Sequence, residues 1–183
     1  MQFRFQPLRA TQAAGVLVRL AGGRLNYTKL LKLMHLADRR SLLETGAPIT
    51  GDRVVNMDKG PVLSTVYDCI KGKAPECTSW QECFRIEHFD LVTVADAGDS
   101  ELSDYDVEVL EALHRQYRSH TLTQMIDVAH RLPEWKDPAP AKAKPVSHEQ
   151  ILEASGASRE QVRAYNELNA SMRQLDSVRI IRS

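Results

Sequence analysis

Residues 27–67 read YTKLLKLMHLADRRSLLETGAPITGDRVVNMDKGPVLSTVY, and the first half of this stretch sets the centre of the fold. Tyr27, Leu30, Leu31, Leu33, Met34, Leu36 and Ala37 recur so densely at helical spacing that almost no polar face is left. The helix they form must therefore be enclosed by others, with Leu30, Leu33 and Leu36 in the core. Asn26 stands where a side-chain oxygen caps the first turn. The helix runs through Asp38-Arg39-Arg40 and stops near Gly46-Ala47-Pro48. Beyond it, residues 53–57 read as a short strand and Asp58-Lys59-Gly60 as a turn. Pro61 fits the first turn of a third helix over residues 62–70, which aligns Val62, Val66 and Ile70 on one face.

Upstream, residues 9–21 place Ala10, Ala13, Ala14, Val16, Leu17, Leu20 and Ala21 on one apolar face, and Gly22-Gly23 ends that helix. Downstream, residues 83–96 are rich in β-branched and aromatic types, but their alternation slips phase between Ile86 and Phe89, which predicts two short strands or one bulged strand. Ser103 opens a helix with Val107, Leu110, Leu113 and Tyr117 as its stripe. Thr121 with Gln124 makes a capping box for the next, with Leu122, Met125, Ile126 and Ala129 inward and Pro133 as its stop. Residues 137–145, DPAPAKAKP, have the proline content of an extended linker. Two more capping boxes follow, Ser147 with Gln150 and Ser158 with Gln161, the last helix presenting Val162, Tyr165, Leu168, Met172 and Leu175. The expected fold is mainly α, in the α+β class, a compact helical domain of about seven helices with a small two- or three-stranded β element. Its expected organisation is a core domain over residues 1–136, a proline-rich linker over 137–146 and a C-terminal helical segment over 147–183 packed on the core.

Composition narrows the function. Lys plus Arg number 24 and Asp plus Glu number 24, so the formal net charge is zero and the overall basic excess of a nucleic-acid binder is missing. No apolar run is long enough to span a membrane, and the first residues lack the apolar stretch of a signal peptide, which predicts a cytoplasmic protein. Cys69, Cys77 and Cys83 are odd in number and form no C-x-x-C pair, so reduced thiols are expected. Together with His88 they match no zinc-finger spacing, and the six histidines make no metal-binding pair on one helical face. No Gly-rich loop joins a strand to a helix and no nucleophile elbow is present. Catalytic residues, metal and cofactor are accordingly expected to be none. Arg39, Arg40, Arg53 and Lys59 remain as a local basic patch, since a helix end and the strand after it lie close in a compact domain.

The motif run points further. Lys29-Leu30-Leu31-Lys32-Leu33 leads into Leu36-Ala37-Asp38, then Gly46-x-Pro48-Ile49-x-Gly51-Asp52, then Met57-x-x-Gly60-Pro61-Val62 and Tyr67. In order and spacing this resembles the Panacea domain, the family of SocA-like antitoxins found in bacteria and their phages. The helix opening at Leu102-Ser103 and the segment from His130 to Trp135 extend the likeness over residues 9–135. One departure is His35, where the family usually carries an aromatic residue, commonly Tyr. The resemblance implies a non-enzymatic protein that neutralises a cognate protein toxin encoded nearby by direct binding, masking it or delivering it to a cellular protease. It also implies that Leu30, Leu33, Asp52, Gly60 and Pro61 mostly hold the fold.

Two partner-binding surfaces are expected. One joins Arg39 and Arg40 to Asp52, Arg53, Met57 and Lys59; the other is the final helix with Tyr165, Leu168 and Met172. The alternatives are a winged-helix DNA-binding autorepressor, against which the neutral charge counts, and an enzyme using Asp52, His35 or His130.

Overall fold

The computed structural model describes the backbone of residues 3–181 and the side chains of residues 3–172. The helix read from residues 27–67 lies at its centre. This helix, α2 (Tyr27–Thr45), is preceded by α1 (Pro7–Leu20) and a three-residue strand, β1 (Arg24–Asn26). Asn26 Oδ1 accepts from the backbone N–H of Thr28 and Lys29, as the capping signal predicts, and Gly46 ends α2 in the left-handed conformation at φ 80°. Leu30 and Leu33 are fully buried and Leu36 is half-buried. The enclosure comes from α1, from α5 (Asp104–Tyr117) and α6 (Leu122–His130) along the flanks, and from α7 (His148–Ala154).

Eight helices among the described residues are joined by two three-stranded antiparallel sheets, so the domain is mainly α with a small β component. The first sheet has the order β1-β5-β4, built on the hairpin β4 (Phe84–Glu87) and β5 (Asp90–Thr93). Its turn at His88-Phe89 explains the phase slip in the sequence, since Glu87 pairs with Asp90 and the two residues between them make the reversal. The second sheet has the order β3-β2-β6, with β2 (Val54–Met57) in the middle, β3 (Gly60–Leu63) on one edge and β6 (Lys144–Val146) on the other.

The second sheet corrects two expectations. Pro61 does not open a helix: it pairs with Asn56 in the edge strand β3, where its missing N–H costs nothing, and α3 (Ser64–Ile70) begins only after the hairpin closes. The proline-rich stretch also carries a strand, because Pro145 lies opposite Val55 on the other edge and Val146 opposite Val54. The chain after residue 146 thus returns onto the body, with α7 against α2 and α8 (Arg159–Ile181) against α7. The boxes predicted at Thr121, Ser147 and Ser158 all form, and Ser103, read only as the start of its helix, makes a further box with Asp106. The stripe of α5 is Val109, Leu110 and Leu113, with Val107 only half-buried, and α6 buries Met125 and Ala129 while Leu122 stays exposed. Leu175 lies outside the described side chains.

The expectation of reduced cysteines is also corrected. Cys69 at the end of α3 and Cys77 at the start of α4 (Thr78–Cys83) are joined in a disulfide, their Cα atoms 5.7 Å apart, while Cys83 is free and buried. A reversal at Lys71-Gly72 brings two helix ends together that an eight-residue spacing leaves unconnected in the sequence.

Candidate functional site

The hairpin β2–β3 stands on a polar interior. Asp52, fully buried, accepts from the backbone N–H groups of Arg53, Thr65 and Val66, so its carboxylate ties the start of β2 to the first turn of α3. Asp38 on α2 accepts from the N–H and the hydroxyl of Thr50; burial pushes its carboxyl up to about 7 against those hydrogen bonds. The segment after α6 grips the hairpin from the other side. Asn56 Nδ2 donates to the Glu134 carbonyl at 3.1 Å, Trp135 Nε1 donates to the Met57 carbonyl at 3.2 Å, and His130 Nε2 lies 2.9 Å from the Asp58 carbonyl. The His130 and Trp135 rings stack with centroids 4.1 Å apart.

Beneath these tethers, Glu134 is buried and receives Arg39 Nε at 2.8 Å, while Arg39 also reaches the Ser155 hydroxyl at 2.7 Å. His35 places Nε2 3.6 Å from the same carboxylate, an electrostatic contact longer than a hydrogen bond. Burial holds His35 below its ordinary pKa and therefore neutral. Burial opposes the Glu134 carboxylate, but His35 and Arg39 outweigh it and hold its pKa below the usual value.

Of the expected partner-binding residues, Asp52 and Tyr165 lie in the interior, at 0% and 2% exposure. Tyr165 OH meets His148 Nδ1 at 3.2 Å, and its ring packs 5.7 Å from that of Phe3. Arg39 is committed to Glu134, and Arg40 pairs with Glu44 one turn along on the surface of α2. Arg53 and Lys59 are exposed and Met57 is half-buried, and all three belong to the hairpin segment. Leu168 and Met172 are exposed on α8, at 40% and 42%. Of the first expected set, Arg40, Arg53 and Lys59 are thus exposed and Met57 half-buried, and of the second, Leu168 and Met172 are exposed.

Sequence reasoning missed the pocket beside that hairpin. A cavity of about 190 Å³ is lined by Tyr27, Thr28, Leu31, Lys32, Met57, Lys59 and Tyr67, among others. Lys32 is 1% exposed, and its Nζ donates to the Pro61 carbonyl at 3.0 Å. Burial pushes its pKa down to about 7, with Asp58 raising it and Lys59 lowering it to smaller degrees. Lys71 lies over the Tyr27 ring at 4.5 Å and the Tyr67 ring at 5.5 Å. Gly60 makes the close approach possible. A Cβ there would stand 2.6 Å from that of Ala129 and 3.4 Å from Lys32 Nζ, at a φ of 94° that other residues resist. The signal for Lys32 was in the motif itself, a charge set within the apolar run of α2, but helical periodicity alone reads it as the polar edge of the helix.

Among the described residues no group of three or more His, Cys, Asp or Glu side chains is placed to hold a metal ion, and no helix is long and apolar enough to cross a membrane. A helix-enclosed body that presents a tethered β-hairpin over a lysine-floored pocket has the layout of a binding domain. The chain belongs to the family described as antitoxin SocA-like, Panacea domain, whose pattern matches residues 30–136 and so takes in α2 from Leu30 onward, the hairpin and the gripping segment through Trp135. No curated protein and no solved structure matches it. Membership of an antitoxin family points to an antitoxin role without enzymatic activity.

Proposed function

We propose that this protein is an antitoxin that neutralises a protein toxin encoded beside it by binding it directly in the cytoplasm, through the face made by the β2–β3 hairpin. The observation that carries this reading is the family match over residues 30–136, a span that holds the hairpin but not α8. The physical layout supports it. Asp52, Asn56, Glu134, His130 and Trp135 fix the hairpin backbone from inside, so Arg53, Met57 and Lys59 present a surface that loses little entropy on docking. Stable inhibition without chemistry needs roughly 1,200–2,000 Å² of interface in total, far more than a hairpin tip, so the contact extends onto neighbouring surface.

Expression of the adjacent gene alone is expected to arrest growth, and co-expression of this protein to restore it. A harmless neighbour, or arrest that persists beside soluble antitoxin, rejects the reading. Arg53→Glu with Lys59→Glu is expected to abolish the rescue, and Leu168→Lys with Met172→Lys to leave it; the reverse pattern moves the interface to α8. Point changes are the right instrument here, because cutting the chain at residue 146 would strip Val146, Ile151 and Tyr165 from the core. Rescue that survives in a host lacking its energy-dependent proteases assigns masking, and rescue that is lost there assigns delivery to a protease.

A further inference from the structure

Lys32 is an expensive residue to keep where it stands. An ammonium taken out of water costs several kcal/mol unless an anion and further hydrogen bonds compensate. Among the described residues its Nζ donates to one neutral carbonyl, that of Pro61, where an ammonium carries three donors, and it forms no ion pair. The surrounding charge does not compensate either. Asp58 stands on the hairpin turn, but Lys59 follows it, and Lys71 covers the two tyrosine rings that wall the pocket. A methionine or leucine at this position of α2 would fill the same space without that cost.

The pocket also continues into apolar surface. Phe89, at the tip of the β4–β5 turn, is 67% exposed, its ring 6.3 Å from that of Tyr27 and its carbonyl bonded to the Tyr27 N–H. An exposed aromatic beside a cationic cleft is the layout of a protein-binding anchor, in which a charged group enters and apolar neighbours close over it.

We propose that the pocket between Tyr27, Lys32 and Tyr67 receives an aspartate or glutamate side chain of the toxin, its carboxylate pairing with Lys32 Nζ and its flanking residues lying on Phe89 and the hairpin. This rests on the antitoxin reading and names the chemistry its partner must bring. Charge complementarity selects the occupant: three lysines and one aspartate surround the cleft, and about 190 Å³ holds a carboxymethyl or carboxyethyl group but not an arginine with its shell of water.

Two measurements separate this inference from the reading beneath it. In the first, the full chain with labelled lysines is titrated by NMR with N-acetyl-aspartate amide and, at matched ionic strength, with N-acetyl-asparagine amide. The carboxylate is expected to move the Lys32 side-chain signal saturably and the neutral amide to leave it unmoved. Lys71→Glu, a change at an exposed position, is expected to weaken the carboxylate effect severalfold. No saturable shift, or an equal shift with both probes, overturns the proposal.

In the second, Lys32→Met is co-expressed with the product of the adjacent gene. The variant is expected to stay folded and to lose rescue, with affinity for that product falling about ten- to a hundredfold. Wild-type failure to rescue would reject the antitoxin role, whereas rescue by both wild type and Lys32→Met would leave that role standing and reject the pocket. If Lys32→Met unfolds and the NMR titration is flat, Lys32 is a structural tie to Pro61 and the proposal falls.

Discussion

The two small sheets are alike in size and differ in what lies under them. Beneath β1-β5-β4, α1 and α4 contribute Ala10, Ala14, Leu17, Val18 and Trp80, and the sheet adds Phe84 and Leu91, an interior closed by apolar packing. Beneath β3-β2-β6 lie Lys32, His35, Asp38, Asp52, Asn56, Glu134 and His148, all 4% exposed or less. Several of their atoms, including Glu134 Oε2, Asn56 Oδ1 and His148 Nε2, find no hydrogen-bond partner. Apolar burial is worth about 25 cal/mol per Å² and asks for no orientation, whereas each buried polar atom must be matched or it costs free energy. The first half therefore supplies stability, and the second spends part of it to hold one hairpin in one position.

That contrast is broken most severely by removing an anion from the polar half. Glu134→Ala leaves Arg39 and His35 facing each other without a carboxylate and is expected to destabilise the protein by about 3–5 kcal/mol, read by urea unfolding. A loss below about 1 kcal/mol would mean that the pair is relieved by water and that the hairpin does not depend on it. In the apolar half the matching change is Leu17→Ala on α1, fully buried, with an expected loss of about 2–5 kcal/mol from transfer and cavity together. The two variants should differ in function once corrected for folded protein. Leu17→Ala should still rescue growth and Glu134→Ala should not, since only the latter loosens what holds β2.

The same division governs what the sequence made legible. Local chemistry was readable wherever one element answers to its own residues. Asn26 caps α2, Gly46 ends it, Ser103 opens α5, and the boxes at Thr121, Ser147 and Ser158 form. The α2 core was readable because Leu30 and Leu33 stand in a dense run of apolar residues at helical spacing, and both are fully buried. What was missed is long-range. Strands β1 and β6 are three residues each and exist because β5 and β2 offer them an edge, so no periodicity of their own betrays them. Pro61 carries the same residue preference at a helix start and at a sheet edge, and only the pairing with Asn56 decides between them. Of the site, the motif residues of the hairpin were legible, but the sequence set Asp52 both among the fold-holding residues and on a binding surface beside Arg53 and Lys59, and its burial decides for the first. The pocket was invisible because Lys32 and Tyr67 lie 35 positions apart and meet only after β3 folds back on α2.

Protonation sharpens the comparison next. His148 is buried against Phe3 and Tyr165, and burial pushes its pKa down to about 4 from an ordinary 6.5. The folded protein then keeps the ring neutral between pH 6.5 and 4 while the unfolded chain takes up a proton, so stability falls as pH falls through that window. Asp38 acts in the opposite direction, its carboxyl raised to about 7 by burial, so the folded state binds a proton that the unfolded chain does not hold until about pH 4. The difference between wild type and His148→Phe cancels the Asp38 contribution. From pH 7 to pH 4 it is expected to move by up to about 3 kcal/mol in favour of the variant, measured by urea unfolding at each pH. A difference that stays constant with pH would mean that the ring is reached by water and protonated in the folded protein.

The smallest expected effect tests whether the first sheet is scaffold only beyond the turn that carries Phe89. Ile86 is 39% exposed on β4, an edge of the first sheet whose other edge is β1, and it lies opposite Leu91. Arg85 and Glu87 flank it and pair with each other, so the outer face of this edge is already charged. Ile86→Lys removes a partly exposed apolar side chain that supplies little core volume and adds a charge at an edge that natural sheets often protect with lysine. Its effect on stability is expected to stay within about 0.5 kcal/mol. Rescue of growth should be unchanged, because β4 lies across β5 from β1 and away from the β2–β3 hairpin, which belongs to the other sheet. Loss of rescue by soluble, equally stable Ile86→Lys would show that the toxin covers this edge as well. The interface would then run from Phe89 at the turn along the edge of the first sheet to Ile86, and the division between a stabilising half and a binding half would have to be redrawn along that line.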